Sequence, residues 1–219
     1  MAQGRRIGKT IGPAATPRRA VAAGRAPTMF ANAMPRDNAL SASPQLRSFE
    51  PFADARSRVL VLGTMPGTKA LRIQQYYGYE RNHFWPIMFD LLAGGRALDY
   101  PEKIALLRRH RIALWDVLAS CERVGAADAA IKNGVPNAIP ELLERHPGIH
   151  TVFCNGGLSA KLFRQHFGDR VAVPMIDLPS TSPAHAAMPY AEKRARWTLV
   201  IEYARRATPP RARKARAPR

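Results

Sequence analysis

Four short stretches hold the side chains best suited to chemistry: Gly63-Thr64-Met65-Pro66-Gly67, Gln74-Gln75-Tyr76-Tyr77-Gly78, Arg81-Asn82-His83-Phe84-Trp85 and Leu178-Pro179-Ser180-Thr181-Ser182-Pro183-Ala184-His185. Glycine permits close approach, so the backbone N–H groups of Thr64, Met65 and Gly67 could meet a ligand edge or a developing negative charge. Asn82 can accept from a water and donate to a ligand at once, which suits positioning better than deprotonation. The same side chain could instead cap a helix starting at Phe84. The hydroxyls of Ser180, Thr181 and Ser182 suit phosphate contacts, and Pro179 and Pro183 pre-set the shape of their loop. His185 could add a phosphate contact, polarise a leaving group, or simply be solvated.

Carboxylates are sparse near these stretches. Asp116 and Asp177 could orient a neighbour or act as a base toward water, but a structural hydrogen bond to a loop amide is the favoured reading of both. Gly156-Gly157 could open an anion-binding helix start or form a tight strand-to-helix turn. Cys121 and Cys154 stand alone, without paired-cysteine spacing, and the six histidines show no pair at metal spacing. No metal and no cofactor is expected. Gly8-Lys9-Thr10 ends like a phosphate-binding loop, but Gln3 stands where that loop needs its first glycine.

The elements that must position these residues read as an α/β alternation. Apolar runs at Val59 to Leu62, Ile112 to Val117, Thr151 to Cys154 and Val171 to Ile176 predict buried strands. Helical periodicity occupies Phe84 to Leu92, Pro101 to His110, Pro140 to Arg145, Leu158 to Phe167 and about Tyr190 to Ala204. Such alternation predicts a three-layer α/β/α sandwich around a four-stranded, mostly parallel sheet. Its ligand crevice lies beyond the carboxyl ends of the strands, where the first and last chemical stretches fall.

Charge is distributed unevenly. The 219 residues carry 34 Lys and Arg against 16 Asp and Glu, a net of +18. Residues 1–48 hold eight basic residues and one acid, and Arg205 to Arg219 hold seven basic residues and none. Residues 49–204 hold 19 basic and 15 acidic residues. The expected organisation is a flexible basic arm over 1–48, a folded domain over 49–204, and a basic tail over 205–219. A transit peptide, or a start at Met29 or Met34, is the rival reading of the first arm. The surplus charge implies an anionic polymer as partner. No run reaches the roughly 18 to 20 apolar residues of a membrane span, so a soluble cytoplasmic protein without a membrane partner is expected.

The quoted loops, together with Leu114-Trp115-Asp116-Val117-Leu118 and Cys121-Glu122-Arg123, closely resemble the uracil-DNA glycosylase superfamily, in particular its deoxyinosine (hypoxanthine) branch, over about residues 55 to 203. The resemblance implies a uracil-DNA glycosylase-like sandwich that acts on DNA as a monomer near the nucleoid, extracts one nucleotide and hydrolyses its N-glycosidic bond. It implies Asn82 as the essential polar residue, Tyr77 as the ring on which the flipped base stacks with Tyr76 in reserve, and Thr64, Met65 and Gly67 as the base-binding loop. Ser180, Thr181, Ser182, Pro183 and His185 would form the loop that meets phosphates and enters the duplex. Met65 occupies the position of the water-activating Asn in the mismatch-uracil relatives, which favours hypoxanthine over uracil. Lys69 is the sole lysine beside a motif, so a monofunctional enzyme without a Schiff-base step is expected. A non-catalytic lesion binder, a mismatch-type uracil glycosylase and an enzyme of free nucleosides remain open readings.

Overall fold

Every residue of β2 (Val59–Gly63), β3 (Ile112–Asp116) and β6 (Thr151–Asn155) is buried, as strands covered on both faces must be. In the computed structural model, which describes residues 45–125 and 130–207, these strands form a parallel sheet with β7 (Met175–Leu178) in the order β3-β2-β6-β7. Alternation along β2 divides the core. Leu60 and Leu62 face α4 (Ile139–Arg145) and α5 (Gly157–Phe167) through Leu142, Ala160 and Phe163. Val59 and Val61 face α2 (Phe84–Leu92), α3 (Tyr100–Arg109) and α6 (Tyr190–Arg205) through Phe84, Leu107 and Trp197. This is the expected α/β/α sandwich, and its four central strands are all parallel.

α3 starts in a capping box: Asp99 accepts from the Glu102 N–H at 2.9 Å and Glu102 accepts from the Asp99 N–H at 3.1 Å. A sixth helix, α1 (Thr68–Ile73), follows the first loop and was not expected. A second sheet, antiparallel in the order β1-β4-β5, was also not expected. It comprises β1 (Gln45–Arg47), β4 (Leu118–Glu122) and β5 (Lys132–Pro136). β4 follows β3 with only Val117 between them, and β5 is exposed throughout, so neither carries a boundary or an alternation.

Two boundaries move. The fourth strand begins at Met175, not Val171, because Val171 and Val173 pack on the core outside the ladder. The ladder is entered at Pro174, whose carbonyl accepts from Val152 and which has no N–H to give. The folded part also starts before residue 49. Gln45–Arg47 pair with Ser120–Glu122, and the Ser48 N–H donates to the Ala119 carbonyl at 2.8 Å. Of the basic arm and tail read from composition, residues 1–44 and 208–219 lie outside the described residues. Among the described residues no helix is long and apolar enough to cross a membrane.

Candidate active site

Beyond the carboxyl ends of β2, β3 and β6 opens a cleft of about 680 Å³. It is lined by the Gly63–Gly67 loop, Tyr76, Tyr77, Asn82, Asp116, Asn155 and Ser180 to Ala184. Of the residues singled out in the sequence, Thr64, Met65, Gly67, Tyr77, Asn82, Ser180, Thr181, Ser182 and Pro183 meet here. His185 does not line the cleft. It is exposed, its N–H donates to the Ser182 carbonyl at 3.0 Å, and its carbonyl accepts from Lys193.

The floor is set by a glycine beside a carboxylate. Gly63 stands in register with Asp116, and a Cβ on Gly63 would overlap Asp116 Oδ1 and come within 3.3 Å of the Tyr77 hydroxyl. Asp116 is buried, and its Oδ2 accepts from Ser48 Oγ at 2.8 Å. Gly63→Ala is expected to destabilise the protein by about 1 to 3 kcal/mol, the usual cost of overpacking. A lowered urea-unfolding midpoint would register it; an unchanged midpoint would mean that Asp116 moves aside freely.

The first loop is pinned from three directions. Val117 and Leu118 donate to the Gly63 and Thr64 carbonyls at 2.9 and 3.1 Å, and the buried Arg123 donates through Nη2 to the Pro66 carbonyl at 2.6 Å. Thr64 and Met65 are 6% exposed, so the Met65 thioether forms apolar wall and binds no water. Gly67 has an ordinary φ of −68° and a Cβ there would meet nothing within 4 Å. Nothing among the described residues demands that glycine.

Tyr77 adopts φ 53°, a left-handed conformation costly for a bulky residue. That turn lays its ring on Phe84, with centroids 4.0 Å apart and planes 21° apart. One ring face is thereby occupied and a guest ring can use only the other. Burial raises the Tyr77 pKa, and the Asp116 charge raises it further, so the hydroxyl stays protonated. Tyr76 is tied down: its hydroxyl donates to the Glu50 carbonyl at 3.0 Å, its N–H donates to Tyr100 Oη at 3.1 Å, and its carbonyl accepts from Trp85 Nε1 at 2.8 Å. It is wall and brace, with no ring face to offer.

Asn82 fills one of the two roles read from its sequence position, binding the first turn of α2. Its Oδ1 accepts from the Phe84 N–H at 2.9 Å, while its own N–H donates to the Tyr79 carbonyl at 2.8 Å. The second Oδ1 lone pair and the Nδ2 amide remain uncommitted among the described residues. The neighbouring His83 donates its N–H to the Thr181 carbonyl at 2.9 Å, joining the Asn82 segment to the last loop. Burial lowers the His83 pKa, and the Lys193 charge lowers it further.

That last loop carries a correction and an omission. Thr181 is fully buried; its hydroxyl accepts from Asn155 Nδ2 at 2.8 Å and its N–H donates to Asn155 Oδ1 at 2.9 Å. It clasps the loop to β6 and offers no hydroxyl to a phosphate. Asn155, as the polar residue closing the apolar Thr151–Cys154 run, escaped the sequence reading; its place at a strand carboxyl end was the available signal. Ser180 and Ser182 are half-buried, and their hydroxyls accept from Ser182 and Ala184 N–H groups at 3.2 and 3.3 Å. Gly156, with φ 101°, caps α5 and abuts Ser180, where a Cβ would come within 2.9 Å of the Ser180 Cβ. Gly156-Gly157 is thus a tight strand-to-helix turn under the loop.

Three further groups singled out in the sequence, Asp177, Lys69 and Cys154, are engaged or inert. Asp177 is outside the cleft and ion-paired with Arg164 at 2.6 Å. Lys69, at the cleft rim, pairs with Glu80 at 3.3 Å. Burial pushes the Cys154 thiol up to about 12, too high for a nucleophile.

Residues 50–203, well over half of the chain, match the family described as the uracil DNA glycosylase superfamily. A hypoxanthine DNA glycosylase from Methanosarcina barkeri is 31% identical over 116 residues, covering 52% of this chain and 73% of the relative. A hypoxanthine DNA glycosylase from Methanosarcina acetivorans is 32% identical over 111 residues, covering 50% and 70%. A solution NMR structure of an M. acetivorans protein proposed to be a uracil DNA glycosylase superposes with a TM-score of 0.65 at 25% identity. It covers 74% of this chain and all of its own.

Proposed function

The chain belongs to the uracil DNA glycosylase superfamily, and from that membership we propose that it is a monofunctional DNA glycosylase that removes hypoxanthine from deoxyinosine. The observation that carries this reading is Asn82, set in the cleft wall with an uncommitted amide and a second acceptor lone pair, in a cleft that Met65 lines with an apolar side chain. The extruded base enters the cleft and stacks on the free face of Tyr77, which Phe84 backs. Backbone N–H groups of the Thr64–Gly67 loop face its polar edge and the charge that gathers there as the bond lengthens.

Asn82 Oδ1 holds the attacking water, and its Nδ2 orients the nucleotide. As the C1′–N9 bond breaks through an oxocarbenium-like state, the water oxygen bonds to C1′. The released electron pair stays on the base, which takes up the water's proton, leaving free hypoxanthine and an abasic sugar. The Lys69 ammonium is held by Glu80, so water and not an amine is the nucleophile. Action as a monomer on DNA, in or beside the nucleoid, completes the reading.

The test is a panel of oligonucleotides carrying deoxyinosine, uracil or xanthine, incubated with protein and then cleaved by alkali at abasic sites. Strand breakage at deoxyinosine well above uracil is expected. Intact strands in all three, with folded protein, would leave a non-catalytic lesion binder.

A further inference from the structure

The cleft is not the most cationic end of the domain. The residues that immediately precede β3, β2 and β6 are Arg111, Arg58 and His150, side by side across the amino edge of the sheet. The ladder fixes this row: the Arg58 N–H donates to the Arg111 carbonyl at 2.8 Å and the His150 N–H donates to the Arg58 carbonyl at 2.9 Å. The carboxyl ends of α3 and α6 arrive at the same edge. His110 feels the charges of Arg109 and Arg205, and His150 those of Arg58 and Arg206. Arg109, Arg111, Arg205 and Arg206 are exposed, and Arg58 is half-buried.

None of these five arginines has a carboxylate partner among the described residues. Asp54 already serves Arg56 at 3.8 Å and Arg108 at 3.7 Å, and Glu202, one turn before Arg205 and Arg206 on α6, is exposed and makes no ion pair with either among the described residues. At the cleft end Lys69 and Arg164 are neutralised by Glu80 and Asp177, and Arg72 on the cleft wall has no ion pair among the described residues. Compensation of the helix dipoles accounts for Arg109 and Arg205. It does not account for Arg58 and Arg111, which lie on strand approaches. The chain then continues from Arg206 into Arg211, Arg213, Lys214, Arg216 and Arg219 without an acid.

From this we infer that the amino edge of the sheet, formed by Arg58, Arg109, Arg111, Arg205 and Arg206, is a second DNA-binding surface that holds a duplex segment other than the one presented to the cleft. The two ends are separated by the five residues of β2, roughly 15 Å of strand, on opposite sides of the core. The cleft opens beyond the carboxyl ends of the strands, on the side away from the arginine row. Arg206 is braced over the Tyr203 ring at 3.7 Å, and arginines without a carboxylate partner suit phosphate contact that ignores sequence. The protein thereby bridges two segments and can pass between them while scanning.

The experiment uses undamaged DNA, so it is independent of which base is excised. The full chain is compared with Arg109→Gln/Arg205→Gln/Arg206→Gln, three exposed positions outside the cleft. Bead-tethered duplex is loaded with protein and asked to capture a second, fluorescent duplex. Capture by the full chain and at least about fivefold less by the variant is expected. The slope of log affinity against log salt should fall by about 2 to 3, near 0.9 for each phosphate that the variant no longer neutralises. Equal melting temperatures exclude unfolding. Equal capture and equal slopes would overturn the inference. So would loss of capture only when residues 208–219 are removed, or displacement at this edge by an acidic peptide while DNA fails to compete.

Discussion

Replacing Asn82 with alanine is expected to slow release of hypoxanthine by about 100- to 1,000-fold, the usual cost of losing one preorganised polar group aimed at the reacting atoms. Affinity for deoxyinosine DNA should stay nearly unchanged, because the stacking ring and the loop remain in place. Alanine also removes the acceptor of the Phe84 N–H, worth about 1 kcal/mol, so a second variant separates the two roles. Asn82→Ser retains an oxygen that can turn back on the Phe84 N–H yet lacks the amide. It should recover the melting temperature and not the rate. Single-turnover kinetics on a deoxyinosine duplex, beside a binding titration and a thermal melt, check all three. Recovery of rate by serine would remove the Nδ2 amide from the reaction, and equal losses of rate and affinity in the alanine variant would remove Asn82 from the water-holding role.

The second large effect concerns where the folded domain begins. Removing residues 1–44, which hold seven basic residues and one acid, should preserve folding and low-salt excision while flattening the salt dependence of DNA binding. Removing four more residues should be far costlier. Gln45–Arg47 supply the edge of the antiparallel sheet, and Leu46 packs on the core. Ser48 holds both the Ala119 carbonyl and Asp116 Oδ2. With each hydrogen bond worth about 0.5 to 1.5 kcal/mol net, the expected loss is about 2 to 4 kcal/mol. Asp116 would lose a partner beneath Gly63, and excision should fall with it. Urea unfolding and single-turnover excision of the two truncations decide the matter. Indistinguishable behaviour would show that β1 is dispensable.

The contrast between these truncations reflects what a sequence can reveal. The central strands announced themselves as apolar runs because a sheet covered on both faces must be apolar on both. β1, with three residues, and β5, exposed throughout, leave no such trace, so composition placed the domain boundary a few residues too late. Val171 and Val173 look like strand yet merely cover the core, since apolar content reports burial and not hydrogen bonding. Within the site, Asn82, Tyr77 and the first loop were legible from residue type and resemblance. The pairing of Thr181 with Asn155 was not, because it joins positions 26 residues apart whose proximity exists only once β6 and β7 lie parallel. His185 shares a stretch with the cleft residues but points its backbone bonds elsewhere, which adjacency in sequence cannot reveal.

The same clasp bears on the order in which the molecule is built. Thr181 reaches Asn155 only after α5 has been crossed and the edge strand has docked, a non-local closure whose entropic cost precedes its reward. His83 meets the Thr181 carbonyl across nearly a hundred residues. The cleft is therefore among the last parts of the chain to acquire its shape. During refolding from denaturant, the return of excision should trail the return of helical signal, and a substitution that frees the edge strand should silence the enzyme while most of its core remains in place.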